Sequence, residues 1–150
     1  MTINPGFGFG VLLFGMKPSD VEQLIGKPDR QFQDDEQNII TLYNTYKLRL
    51  TFYEDEDYRL GYAICSHQDA LLHGMHMIGK PAEQLVRELE AKGMKNWERE
   101  YIDSAEHILD TDHWVTLVSE FGEVGKIEFG ALIERDEFVW RFPEKAKKSK

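Results

Sequence analysis

The chain has a single cysteine among its 150 residues, Cys65, so an intramolecular disulfide framework is excluded and a reducing compartment is expected. Long apolar runs are also missing. Val11-Leu12-Leu13-Phe14 is far too short for a signal core or a membrane span, and no cationic leader precedes it. A cytoplasmic protein without a membrane partner follows as the expectation. Basic charge is scarce: 18 Lys and Arg stand against 27 Asp and Glu, a formal charge of -9. From Pro143 onward the balance reverses, with four Lys and one Glu, which leaves residues 1–142 at about -12. So acidic a body repels phosphate backbones; it disfavours nucleic acid as a target and favours a protein partner that is basic or itself nucleic-acid-binding.

What is present suffices for a packed core. Hydrophobic residues make up 41% of the chain and aromatics 12%, enough for one domain or two fused subdomains. One pattern occurs twice. Gly15-Met16-Lys17-Pro18 opens a short apolar helix stripe at Val21, Leu24 and Ile25, and Gly79-Lys80-Pro81 opens another at Ala82, Leu85, Val86 and Leu89. Ser19 and Glu22 have capping-box spacing, with Pro18 just ahead; Gly26-Lys27-Pro28 stops the first helix and Gly93 the second.

Each helix leads into period-two strand patterns. Leu48, Leu50 and Phe52 alternate with Lys47, Arg49 and Thr51; Tyr58, Leu60, Tyr62 and Ile64 alternate with Arg59, Gly61 and Ala63 beyond a Glu54-Asp55-Glu56-Asp57 turn. In the second half Val115, Leu117 and Ser119 form one face, and Ile127 and Phe129 continue it past a turn at Gly122 to Gly125. Phe138, Trp140 and Phe142 read as a closing strand, while Arg30 to Gln33 and Ile39 to Tyr43 give weaker strand signals. The glycines Gly6, Gly8 and Gly10 lack the strand-turn-helix context of a dinucleotide loop and read as an extended lead-in. The predicted fold is therefore α+β: two tandem helix-plus-antiparallel-sheet units, residues 1–74 and 75–142, forming one continuous or adjoining sheet with helices on one face. Residues 143–150 read as a flexible basic tail.

The stretch from Phe14 to Asp29, with Met16, Gly26, Pro28 and Asp29 as its more specific elements, resembles the helix-opening signature of β-lactamase-inhibitor-protein-like domains and of BamE-type outer-membrane assembly lipoproteins. It covers about a tenth of the chain. The resemblance implies a short helical segment packed on an antiparallel sheet, and, for tandem forms, inhibition of a partner enzyme through the concave sheet. In general character, an acidic cytoplasmic chain of this size is also similar to bacterial immunity proteins that neutralise a toxin.

Catalytic and metal chemistry finds little support. Cys65, His67, His73 and His76 are zinc-ligand types, but their spacing fits no standard zinc pattern, and no metal or cofactor is expected. Glu54 to Asp57 are contiguous, unlike the alternating ligands of a calcium loop. The sharper signal is acid beside aromatic. Tyr53 with Glu54, Asp55, Glu56 and Asp57 in the first half, and Trp97, Glu98, Glu100, Asp103, Asp110, Asp112 and Trp114 in the second, are the residues expected to meet a partner. The reading is a non-enzymatic inhibitor or immunity protein that occludes a partner such as a bacterial toxin through an acidic aromatic sheet face. An adaptor or chaperone for a secreted protein is the rival, and a small-ligand or metal-dependent enzyme is the alternative of a different class.

Overall fold

The computed structural model describes residues 1–143; beyond Pro143, the tail expected at 143–150 lies outside the described residues. In chain order the elements are β1 (Thr2–Asn4), β2 (Gly8–Phe9), β3 (Leu12–Leu13), α1 (Pro18–Ile25), β4 (Arg30–Gln33), β5 (Ile39–Tyr43), β6 (Leu48–Tyr53), a 3-10 turn at Glu54–Glu56, and β7 (Arg59–Cys65). Then come β8 (Leu71–Leu72), β9 (Met75–His76), α2 (Ala82–Ala91), β10 (Trp97–Ile102), β11 (Ala105–Asp110), β12 (Val115–Glu120), β13 (Glu123–Gly130), β14 (Ile133–Glu134) and β15 (Glu137–Phe138). The fold is α+β.

An eight-stranded antiparallel sheet in the order β10-β11-β12-β13-β7-β6-β5-β4 forms the body. The two halves of the chain meet at its centre, where β7 pairs with β13 through Cys65 opposite Ile127 and Ala63 opposite Phe129. A smaller sheet, β3-β2-β1-β8-β9, packs beside it, and β14 and β15 make a separate hairpin. Within each half, short hairpin turns explain the antiparallel order, since a parallel neighbour would need a long crossover.

Both helices start as elementary chemistry dictates, though one cap differs from the expected pair. Pro18 occupies the first turn of α1, where its missing N–H costs nothing, and Asp20 rather than Glu22 accepts from the backbone N–H of Lys17 at 2.9 Å. Pro81 is the N-cap of α2, and Gly93, at φ 102, follows its end.

The core lies on one side of the large sheet. Leu48, Leu50, Phe52, Leu60, Ile108, Leu117, Ile127 and Phe129 join one buried cluster with Val21 of α1, Leu85, Val86 and Leu89 of α2, and Ile3, Phe9 and Phe14 of the N-terminal segment. Phe129 is its hub, with ring centroids 5.9 Å from Phe9 and 6.2 Å from Phe14. Burying a side chain of this size contributes roughly 1.5–3 kcal/mol.

The backbone pattern around each helix recurs. Gly15 N–H donates to Leu60 O at 2.9 Å and Leu60 N–H to Met16 O at 2.7 Å; Gly79 N–H donates to Val124 O at 2.7 Å and Val124 N–H to Lys80 O at 2.9 Å. Register breaks fall between Thr51 and Phe52 in β6 and between Val118 and Ser119 in β12. Left-handed residues at Lys47 and Trp114 precede β6 and β12. The N-terminal glycines serve two short hairpin strands instead of a plain lead-in: a side chain on Gly8, at φ 157, would run into the carbonyl of Leu12 in β3.

Two further differences concern strands. Phe138, Trp140 and Phe142 do not extend the large sheet; only Glu137–Phe138 is a strand, in the β14–β15 hairpin, and the Arg141 and Phe142 N–H groups donate to Phe14 O beside α1. Strands β10 and β11 were not expected. They lie at and next to a sheet edge, where charge on both faces erases the period-two hydrophobic signal.

Candidate functional site

Much of the side of the large sheet away from the helices is open, although Ile40 and Val118 are buried on it and Phe138 and Trp140 cover its Tyr53 end. Cross-strand pairing lines up one residue from each strand, Glu98-Leu109-Thr116-Glu128-Ile64-Arg49-Leu42-Arg30, and every one is exposed or half-buried. At the usual strand spacing of about 4.8 Å the row spans roughly 34 Å. Its charge is divided. Arg30 and Arg49 sit over the ring of Phe32, at 5.0 Å and 5.9 Å, at the β4 end, whereas Glu98 and Glu100 mark the β10 end and Glu128 stands at the central seam.

Three hollows join across the acidic half of this face. The first, about 290 Å³, is lined by Tyr53, Tyr62, Trp114, Phe138, Glu128 and neighbours. It shares Leu109 and Thr116 with a second, about 340 Å³, which Glu98, Glu100 and His107 line. That one shares Ile102 and His107 with a third, about 510 Å³, which reaches Asp103, Val118 and Lys126. The result is a trough from the β7–β13 seam to the β10–β11 turn.

Local sequence builds its deeper end. Gly61 lacks a side chain where Tyr53 must lie, and Tyr53 stacks on Phe138 at 5.6 Å, which in turn stacks on Trp140 at 4.8 Å. Burial, then the charges of Asp55, Glu36 and Asp34, push the Tyr53 phenol above its ordinary range. The Tyr62 hydroxyl donates to Glu128, and burial followed by that bond and its charge pushes Tyr62 up as well. Trp114 stays partly exposed in a left-handed backbone position at the mouth.

Of the residues expected to meet a partner, the trough gathers Tyr53, Trp114, Glu98, Glu100 and Asp103. The rest lie elsewhere. Glu54, Asp55 and Glu56 form the turn after β6, and Asp57 pairs with Lys17 at 2.6 Å, a bond that holds its carboxyl below the usual range. Trp97 points to the helix side, packs against the core and donates from Nε1 to Met94 O at 2.9 Å. Asp112 accepts from Asn96 Nδ2 at 2.5 Å. Asp110 is fully buried; its Oδ1 takes the N–H groups of Asp112 at 2.8 Å and His113 at 3.0 Å and lies 3.1 Å from His113 Nδ1, so it shapes the turn and offers no surface to a partner. Sequence reading missed Tyr62, Glu128, Phe138 and His107. The signal for Glu128 was its position one residue before Phe129 in a strand, which turns it to the opposite face.

The four zinc-type residues do not converge into a ligand set. Cys65 is buried at the end of β7, with its thiol pushed up by burial; His67 Nδ1 accepts from Asp69 N–H at 3.0 Å; His76 Nδ1 lies 3.2 Å from Gln68 O; and His73 occupies a turn at φ 52. Among the described residues no group of three or more His, Cys, Asp or Glu is placed to hold a metal, and no helix is long and apolar enough to cross a membrane.

The fold and the trough together define an α+β protein with one helix-covered and one open sheet face. No family model matches the chain, and no curated protein does. Among solved structures it is similar to an extracellular protein containing a SCP domain from Bacillus anthracis str. Ames, with a TM-score of 0.52 and 11% identity over 78% of this chain and 43% of that one. The chain thus spans less than half the length of that protein, and the likeness is one of fold.

Proposed function

We propose that this chain is a non-catalytic protein-binding module that occludes a partner with the open face of its large sheet, in the manner of an inhibitor or immunity protein. The observation that carries this reading is the trough: aromatic walls at Tyr53, Tyr62 and Trp114 run into acids at Glu98, Glu100 and Asp103. Aromatic anchors ringed by charge are how interfaces concentrate affinity, and the acids suit a basic partner such as a nucleic-acid-binding toxin. We read the body as two fused α+β units, 1–74 and 75–142, because the Gly15–Leu60 and Gly79–Val124 bridges, the two register breaks and the two left-handed turns recur together. Fusion at the β7–β13 seam doubles the width of the face. A reducing, cytoplasmic setting fits the lone buried cysteine.

A second reading has one observation behind it. The structural neighbour is an extracellular protein containing a SCP domain, so this fold also suits an accessory module of a larger exported protein.

The test is capture from the native host with two variants. Thr116→Arg places a bulky cation at the junction of the first two hollows, and Glu90→Arg alters the exposed side of α2. Loss of the captured protein with the first and retention with the second supports the reading. Retention with Thr116→Arg, or loss only with Glu90→Arg, overturns it.

A further inference from the structure

The deep end of the trough has a composition of its own. Four aromatic side chains, Tyr53, Tyr62, Trp114 and Phe138, and one carboxylate, Glu128, line about 290 Å³, and Lys, Arg and His are absent from the lining among the described residues. Aromatic faces carry negative quadrupole potential and attract cations, most strongly where water is partly excluded. Apolar pockets that merely bury hydrocarbon do not hold a carboxylate, since a half-buried charge without a counter-charge costs free energy. Glu128 is such a group: it is half-buried, and among the described residues no salt bridge reaches it. Tyr62 takes only Oε1 and leaves Oε2 for another donor. Three of the four rings are also held in place before any ligand arrives: Tyr53 and Phe138 by their stack with Trp140 and by the absence of a side chain at Gly61, and Tyr62 by its bond to Glu128. The acids Asp34, Glu36 and Asp55 add negative potential behind Tyr53.

We infer that this cavity is a binding site for an organic ammonium group, held between the aromatic rings with its charge directed to Glu128. Two sources share that chemistry: a free quaternary or primary amine, and a lysine side chain presented by a protein. For the second source the inference rests on the protein-binding reading above. The experiment below uses only small probes and the full chain, so it can fail while capture of a partner succeeds, and the reverse.

Choline and its uncharged carbon isostere, 3,3-dimethylbutan-1-ol, are titrated against the full chain, with n-butylammonium as the lysine-like probe, and binding is followed by the indole resonances in NMR. Choline or n-butylammonium is expected to bind at least about tenfold more tightly than the neutral alcohol, the scale of a desolvated cation–aromatic contact. Tighter n-butylammonium assigns the site to a lysine side chain, and tighter choline to a quaternary amine. Glu128→Gln, which keeps an acceptor for Tyr62, reduces the preference for charge and leaves the part that the aromatic faces supply. Trp114→Leu, which keeps apolar volume, weakens the cation several-fold while the thermal midpoint stays put, since Trp114 is at the cavity mouth. Equal affinity for choline and the alcohol, a preference undiminished by Glu128→Gln, or indole shifts confined to Trp97 on the helix side overturns the inference.

Discussion

The Tyr62 hydroxyl donates to Glu128 across the seam where β7 meets β13. The bond ties together the two strands through which the halves of the chain are joined, and it sits on the open face, away from the core. Burial, then the hydrogen bond and charge of Glu128, favour the protonated phenol in the folded state. Tyr43, buried next to Glu22 and Tyr46, is pushed up to about 12 by burial and then by those neighbours. A raised folded-state value means that the stabilisation is complete below the unfolded phenol pKa of about 10 and is lost as pH rises through the folded one. The urea midpoint should therefore fall steeply above pH 10. Tyr62→Phe should cost about 1.5–3 kcal/mol at neutral pH, the range for a hydrogen bond to a charged group, and should flatten that fall. An unchanged alkaline slope in the variant would remove Tyr62 from the account.

Gly61 and Gly125 lie in the last large-sheet strand of each half, β7 and β13, but a methyl group meets different surroundings at each. At Gly61 it would overlap the ring of Tyr53; at Gly125 it meets open space. Gly61→Ala should destabilise by about 1–3 kcal/mol through overpacking and displace Tyr53 from the stack with Phe138. Gly125→Ala should stay within about 0.5 kcal/mol of the parent. Parallel denaturation curves check the pair, and equal costs would mean that Tyr53 does not lie over Gly61.

Asp110 is fully buried and holds the β11–β12 turn by accepting from Asp112 and His113. Asp110→Ala leaves those N–H groups without a partner and should cost on the order of 2–3 kcal/mol. Asp112→Ala, which removes only a bond to Asn96 at the surface, should cost well under 1 kcal/mol. Chemical denaturation ranks the two, and the reverse order would contradict the buried placement of Asp110.

The arrangement was legible in sequence where hydrophobic period and turn chemistry agree. Leu48, Leu50 and Phe52 announced β6, even the weaker Ile39 to Tyr43 signal matches β5, and Pro18 and Pro81 marked both helix starts. Legibility failed where a strand is partly wet on both faces. Trp97–Ile102 holds its place through register with β11 and through Arg99, which reaches Glu83 of α2 at 2.6 Å and Glu106 at 3.3 Å, interactions that no local pattern encodes. For the site, residue type alone could not separate Trp97 from Trp114. The first faces the helices and the second the trough because of strand parity set by the β10–β11 pairing and a left-handed turn, both of them products of the assembled sheet.

The same geometry separates two acidic clusters that look alike in sequence. Glu98 and Glu100 line the trough, whereas Glu54, Asp55 and Glu56 form a turn at the end of β6 outside it. Charges inside an interface affect both encounter and dissociation, while charges outside it steer encounter alone and are screened over about 8–10 Å at ordinary salt. Against a captured basic partner, Glu98→Gln with Glu100→Gln should therefore slow association and speed dissociation. Changing Glu54, Asp55 and Glu56 to amides should slow association a few-fold at low salt and leave dissociation unchanged. Trp114→Ala should act on dissociation, at a cost on the order of 2 kcal/mol if it is a packed anchor. Surface-plasmon traces at two ionic strengths resolve the three cases. Turn amides that speed dissociation as much as the trough amides do would place the interface at the β6–β7 turn and remove the open face from the proposal.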